Sequence, residues 1–199
     1  MLDERGSAIE QGLTPAARKV LDAASTLFYA RGIHAIGVDT IAEAAGVTKK
    51  TLYDRFGSKD HLVAAYLGAR EQRWRAFLAS ELADVPAPGA PLAVFDASAC
   101  WAATYAPRGC SFVNARAELP DPAHPAFAVI DDAKRVMLAL FIRLVGPLGA
   151  ADPTELGTAL FLLHEGALVS AGLGTTADAW GHARRAAAQL INASDVADT

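Results

Sequence analysis

Residues 38–62 read VDTIAEAAGVTKKTLYDRFGSKDHL, and they pack two short helices, a glycine turn and a group of cations into one unit. At Ala44, Ala45, Gly46 and Val47 one helix stops and turns, and the next opens on two adjacent lysines, Lys49 and Lys50. That order of elements is a helix-turn-helix. Thr48 is placed to cap the second helix, with Leu52 and Phe56 turned to the core and Lys49, Lys50, Thr51 and Tyr53 turned outward. Lysines in a first helical turn oppose the helix dipole. This points to a partner outside the fold, and a phosphate backbone suits the charge.

The charge around this stretch is local. The 199 residues sum to a formal charge of -4, which argues against indiscriminate coating of nucleic acid. Up to Gly37, Arg5, Arg18, Lys19 and Arg31 balance Asp3, Glu4, Glu10 and Asp22. From Thr48 to Lys59, however, Lys49, Lys50, Arg55 and Lys59 face Asp54 alone, and the acid excess follows Lys59. A content of 52% hydrophobic residues fills a sizeable core, and abundant Ala and Leu with few β-branched runs predict an all-α protein of about nine helices.

On the N-terminal side, residues 1–13 lack a period and read as a mobile arm. Thr14 and Pro15 then open a helix whose Val20, Leu21, Ala24, Leu27 and Phe28 share a face, ending at Arg31 and Gly32. Ile41 and Ala44 of the next helix are expected to meet that face. After Gly57, Ser58 caps a helix reaching Leu82, about 35 Å long. Residues 84–91, with Pro86, Pro88, Gly89 and Pro91, read as a loop. Residues 92–105 are apolar or small nearly all round and read as a helix buried inside a bundle. A short helix near 110–118 and an amphipathic one over 125–145 follow. Asp152, Pro153 and Glu155 open a helix running to about Gly174, and a last helix covers about 177–192.

The run RGIHAIGVDTIAEAAGVTKKTLYDRFGSKDHL, residues 31–62, resembles the DNA-binding domain of the TetR family of transcriptional regulators, through IAEAAGV, TLY and F-x-SK in register. The resemblance implies that Lys50, Thr51 and Tyr53 sit where the recognition helix meets DNA, and Lys59 where the next helix meets a phosphate. Thr40, Thr48, Lys49 and Arg55 complete the expected DNA-binding set. Two features depart from the family pattern: Gly37 replaces the usual Ser or Thr cap, and Asp54-Arg55 replace residues that are often aromatic or histidine. Asp54 either repels phosphates or accepts from a cytosine amino group, and Arg55 either reaches a phosphate or pairs with a local acid.

Beyond this stretch the resemblance is architectural. It implies a DNA-binding domain over residues 1–57 and a ligand-binding and dimerisation domain over 58–199, linked by the helix from residue 58. Candidate effector residues are Trp74, Phe77, Trp101, Tyr105, Phe112, Phe127, Met137 and Phe141, with Asn114, Glu118 and His164 as polar contacts; core packing is the competing reading for each. The small residues Gly166, Ser170 and Gly174, beside Leu163, with Trp180, Ala187 and Leu190, suggest a two-fold interface between subunits.

These features predict a homodimeric, cytoplasmic repressor that binds a near-palindromic double-stranded operator until a small, largely apolar effector releases it. Neither a cofactor nor a membrane role is expected. Catalysis and metal binding are not expected either: His164-Glu165 begins an HExxH pattern, but Leu168 occupies the second histidine's place. The alternative is a thiol-based redox-responsive regulator using Cys100 and Cys110.

Overall fold

The computed structural model describes residues 12–194, so most of the arm expected over residues 1–13 lies outside the described residues. Among the described residues the chain is all-α: α1 (Pro15–Arg31), α2 (Val38–Ala45), α3 (Lys49–Phe56), α4 (Lys59–Leu82), α5 (Ala90–Tyr105), α6 (Ser111–Glu118), α7 (Ala126–Val145), α8 (Pro153–Leu173) and α9 (Ala179–Ser194). Two compact units result. One joins Met1–Ala76 to Ser111–Asp132; the other joins Phe77–Cys110 to Ala133–Thr199.

In the first unit, Thr14 Oγ1 accepts the Ala17 N–H at 3.3 Å and Pro15 occupies the first turn, where its missing N–H costs nothing. Ala17, Val20, Leu21, Ala24 and Phe28 then form one buried stripe. It packs against Ile41 of α2, Leu52 of α3, and Leu62, Val63, Tyr66 and Leu67 of α4. On α2 the core-facing partners of Ile41 are Ala42 and Ala45, whereas Ala44 is exposed. At about 100° per residue, Ile41, Ala45 and Ala42 fall within one arc of the helix, and Ala44 lies beyond its edge on the side of Ile41. This unit is larger than the three helices α1 to α3, because Ala115 of α6 and Ala126, Phe127 and Ile130 of α7 close the same core. Glu118, at the end of α6, accepts the His34 backbone N–H at 2.9 Å and so holds the α1–α2 connection.

In the second unit, α8 packs most extensively on α9, and α9 also packs on α5. Asp152 Oδ1 accepts the N–H groups of Thr154 and Glu155 at 2.9 and 3.0 Å, setting the start of α8. A Cβ on Gly157 would come within 2.6 Å of Ile142 Cα, so this glycine is what lets α8 approach α7. Pro91, expected in a loop, lies instead in the first turn of α5, where helices tolerate proline. Nor is α5 buried all round: Ala90, Pro91, Val94, Phe95, Ala97 and Ser98 are buried, while Cys100, Thr104 and Tyr105 are exposed.

Candidate nucleic-acid interface

The turn between α2 and α3 is built on Gly46, whose φ of 65° and ψ of 36° lie in the left-handed region that favours glycine. Its N–H bonds to the Glu43 carbonyl and the Val47 N–H to that of Ala42, both at 3.0 Å, which satisfies the end of α2. Thr48 Oγ1 accepts the Thr51 N–H at 3.1 Å, and the two hydroxyls lie 2.9 Å apart. Gly37 gives α2 no side-chain cap, but Asp39 in the first turn places a negative charge at the positive end of the dipole.

The two adjacent lysines have different surroundings. Lys49 Nζ lies 3.0 Å from Asp39 and ties α3 to α2, whereas Lys50, its side chain 84% exposed, pairs with Asp54 one turn along α3 at 2.9 Å. Both therefore meet carboxylates within the protein, and no outside phosphate is required to offset the dipole. What remains is the composition of the outer face: Lys50, Tyr53 and Asp54 lie together and exposed on α3, with Arg55 exposed in its last turn and Thr40 exposed on α2. Lys59 is directed inward, donating to the Ile33 carbonyl at 2.7 Å, 6.0 Å from the Phe28 ring centroid. Burial lowers its ammonium pKa, with Asp60 and Glu118 opposing.

Residues 20–66 match the model of the bacterial regulatory proteins of the tetR family. An HTH-type transcriptional regulator of Mycobacterium tuberculosis, MT1294, is 39% identical over 79 residues, covering 40% of this chain; the chain spans only 39% of that relative's length. The likeness to solved structures extends much further. SCO4454, a TetR-family transcriptional regulator from Streptomyces coelicolor, is 31% identical over 91% of this chain and 96% of its own, with a TM-score of 0.83. A putative TetR transcriptional regulator from Streptomyces avermitilis is 33% identical over 92% and 99%, with a TM-score of 0.78. The chain belongs to the TetR family. This TetR-family protein is thus a DNA-binding transcriptional regulator, and α2 and α3 both lie within the matched residues.

The other candidate residues of this TetR-family chain divide between its units. Trp74, Phe112, Asn114, Glu118 and Phe127 belong to the first. Phe127 is in its core under the Arg116 guanidinium, 4.1 Å from the ring centroid, and Glu118 is bonded to His34. Phe77, Trp101, Tyr105, Met137, Phe141 and His164 belong to the second. There Phe77 and Trp101 lie 5.4 Å apart and Trp101 and Tyr105 4.6 Å apart, while Phe141 is fully buried against Phe95 and His164.

His164 is the centre of a polar cluster that sequence patterns did not reveal. Its Nε2 is 2.8 Å from Ser98 Oγ and its Nδ1 3.5 Å from Glu165 Oε1, with the Trp180 ring at 5.3 Å. Glu165 is also 2.6 Å from Lys134 Nζ, which lies 3.7 Å from Cys110 Sγ. Cys100 is exposed, and family membership does not favour the redox alternative. Burial lowers the His164 pKa despite Glu165, while Glu165, which burial would raise, is held below its usual range by His164 and Lys134. The unfolded chain therefore takes up protons first at both positions, so this stabilisation is present at neutral pH and lost on acidification, through His164 below 6.5 and through Glu165 below 4.5. The urea midpoint should fall between about pH 7.5 and pH 5, and fall less in His164→Gln.

Of the residues expected at a subunit interface, Ala187 is fully buried within the chain, Leu163, Ser170 and Trp180 are half-buried, and Gly166, Gly174 and Leu190 are exposed. The exposed apolar face of α8 runs through Leu162, Gly166, Val169 and Leu173, with the leucines 62% and 74% exposed.

Proposed function

We propose that this regulator is a homodimeric repressor that holds a near-palindromic operator until a small, largely apolar effector binds. The observation that carries this reading is the coexistence of an outward-facing recognition helix with the apolar stripe Leu162, Gly166, Val169 and Leu173 on α8. By length and composition α8 could cross a membrane, and 28% of its most apolar stretch is buried within the chain. A second copy, related by a two-fold axis, covers the rest and supplies the second α3 that a two-half-site operator needs. The half-open aromatic run Phe77, Trp101 and Tyr105 is the effector contact, and α4, whose residues belong to both units, transmits its occupancy. An effector favouring the released form by ~3 kcal/mol weakens operator binding roughly a hundredfold.

A thermal-shift screen followed by fluorescence anisotropy on DNA from upstream of the protein's own gene tests this. Compounds that raise the melting temperature are expected to release the DNA, and Trp101→Ala to abolish both effects. Stabilising compounds that leave DNA affinity unchanged would contradict it. Lys50→Ala should weaken operator binding about tenfold without moving the melting temperature.

A further inference from the structure

The acid on the outer face of α3 calls for an explanation. Asp54, its side chain 56% exposed, pairs with Lys50 one helical turn away at 2.9 Å. An exposed pair of this kind adds little to stability, and a carboxylate facing DNA repels phosphates. Such a residue is useful on a DNA-facing surface only where the duplex offers it a donor. In the major groove the donors on base edges are the N4 amino group of cytosine and the N6 amino group of adenine.

We propose that Lys50 and Asp54 act together to read one G·C base pair in each half-site, Lys50 donating to guanine and Asp54 accepting from the N4 amino group of its paired cytosine. In a G·C pair the guanine O6 acceptor and the cytosine N4 donor are neighbours on the groove edge. A protein donor and acceptor 2.9 Å apart on one helix face present the complementary pattern. An A·T pair also sets a donor beside an acceptor. It flanks its N6 donor with single acceptors, adenine N7 on one side and thymine O4 on the other, so an ammonium beside the carboxylate reaches one of them, whereas guanine sets O6 and N7 side by side and lets the ammonium bridge both. The neighbouring Lys49 pairs with Asp39 on α2 rather than with Asp54, so it does not form this donor–acceptor pair.

This inference rests on α3 being the helix that enters the major groove, and the test separates the two. Randomised duplexes are selected with full-length wild type, Asp54→Ala, Asp54→Asn and Lys50→Ala, and the recovered pools are sequenced. Wild type is expected to recover a near-palindrome with a G·C pair at one fixed position of each half-site. Asp54→Ala and Lys50→Ala should both lose the preference at that position, by roughly tenfold or more, and keep the others. Because Asp54 is exposed, thermal melting of its variants should match wild type. A wild-type motif that Asp54→Ala leaves unchanged, with all duplexes bound more tightly, would overturn the inference alone and leave Asp54 as a repelling charge. Loss of preference at an A·T position, or at different positions in the two variants, would also overturn it. Failure of wild type to recover any motif would overturn both readings.

Discussion

The double substitution Leu162→Glu and Leu173→Glu is expected to convert the protein to a monomer and to lower its affinity for a two-half-site operator by about a hundredfold or more. Both side chains stand exposed on one face of α8. Burying a leucine contributes about 1.5–3 kcal/mol, and each counts twice across a two-fold axis. Glutamates would remove that gain and face like charges across the axis. The chain's own core should be untouched, since neither leucine belongs to it. Light scattering after size exclusion, with anisotropy on the same samples, reads both effects. A double variant that stays dimeric would place the interface elsewhere.

The largest expected effect on stability comes from Glu165. Replacing it with leucine leaves the Lys134 ammonium, 26% exposed, with Cys110 Sγ at 3.7 Å but without its carboxylate at 2.6 Å. Breaking a buried pair by removing one partner costs about 3–5 kcal/mol, and the partial exposure favours the lower end. Removing both charges, as Lys134→Met with Glu165→Leu, should restore most of that, because no ammonium is then left stranded. Urea denaturation of the two variants decides it: similar midpoints for Glu165→Leu and wild type would mean that solvent already screens the pair.

The DNA-binding helices were legible in the sequence because their boundaries are set by neighbours in the chain. Thr14, Pro15, Gly46 and Thr48 act within a few residues of themselves, and the structure puts α1, α2 and α3 at the limits those residues mark. Asp152 and Pro153 mark the start of α8 in the same way. Contacts between distant residues were not legible. Glu118 meets His34 across 84 positions, Ser98 meets His164 across 66, and Lys134 meets Glu165 across 31. Periodicity shows that a segment is helical without showing which element covers its face.

Both α5 and α8 illustrate the limit. Each is apolar or small on nearly every side, so no polar face marks the direction of solvent. Spacing of small residues drew attention to Gly166, Ser170 and Gly174; Gly166 does lie on the exposed stripe, but Leu162, Val169 and Leu173, which supply its apolar area, were not singled out. On α3 the sequence identified Lys49, Lys50 and Tyr53 as outward but set the half-buried Thr51 with them, and it did not show that Asp39 and Asp54 would each take a lysine.

Sequence-specific DNA binding is the property that most directly decides the regulator's role. Purified protein should be titrated by anisotropy against a duplex from its own upstream region and a scrambled duplex of the same composition, over a range of salt concentrations. A preference of about a thousandfold for the upstream duplex, with both affinities falling as salt rises, is the predicted result. Equal affinity for the two duplexes at every salt concentration would contradict it.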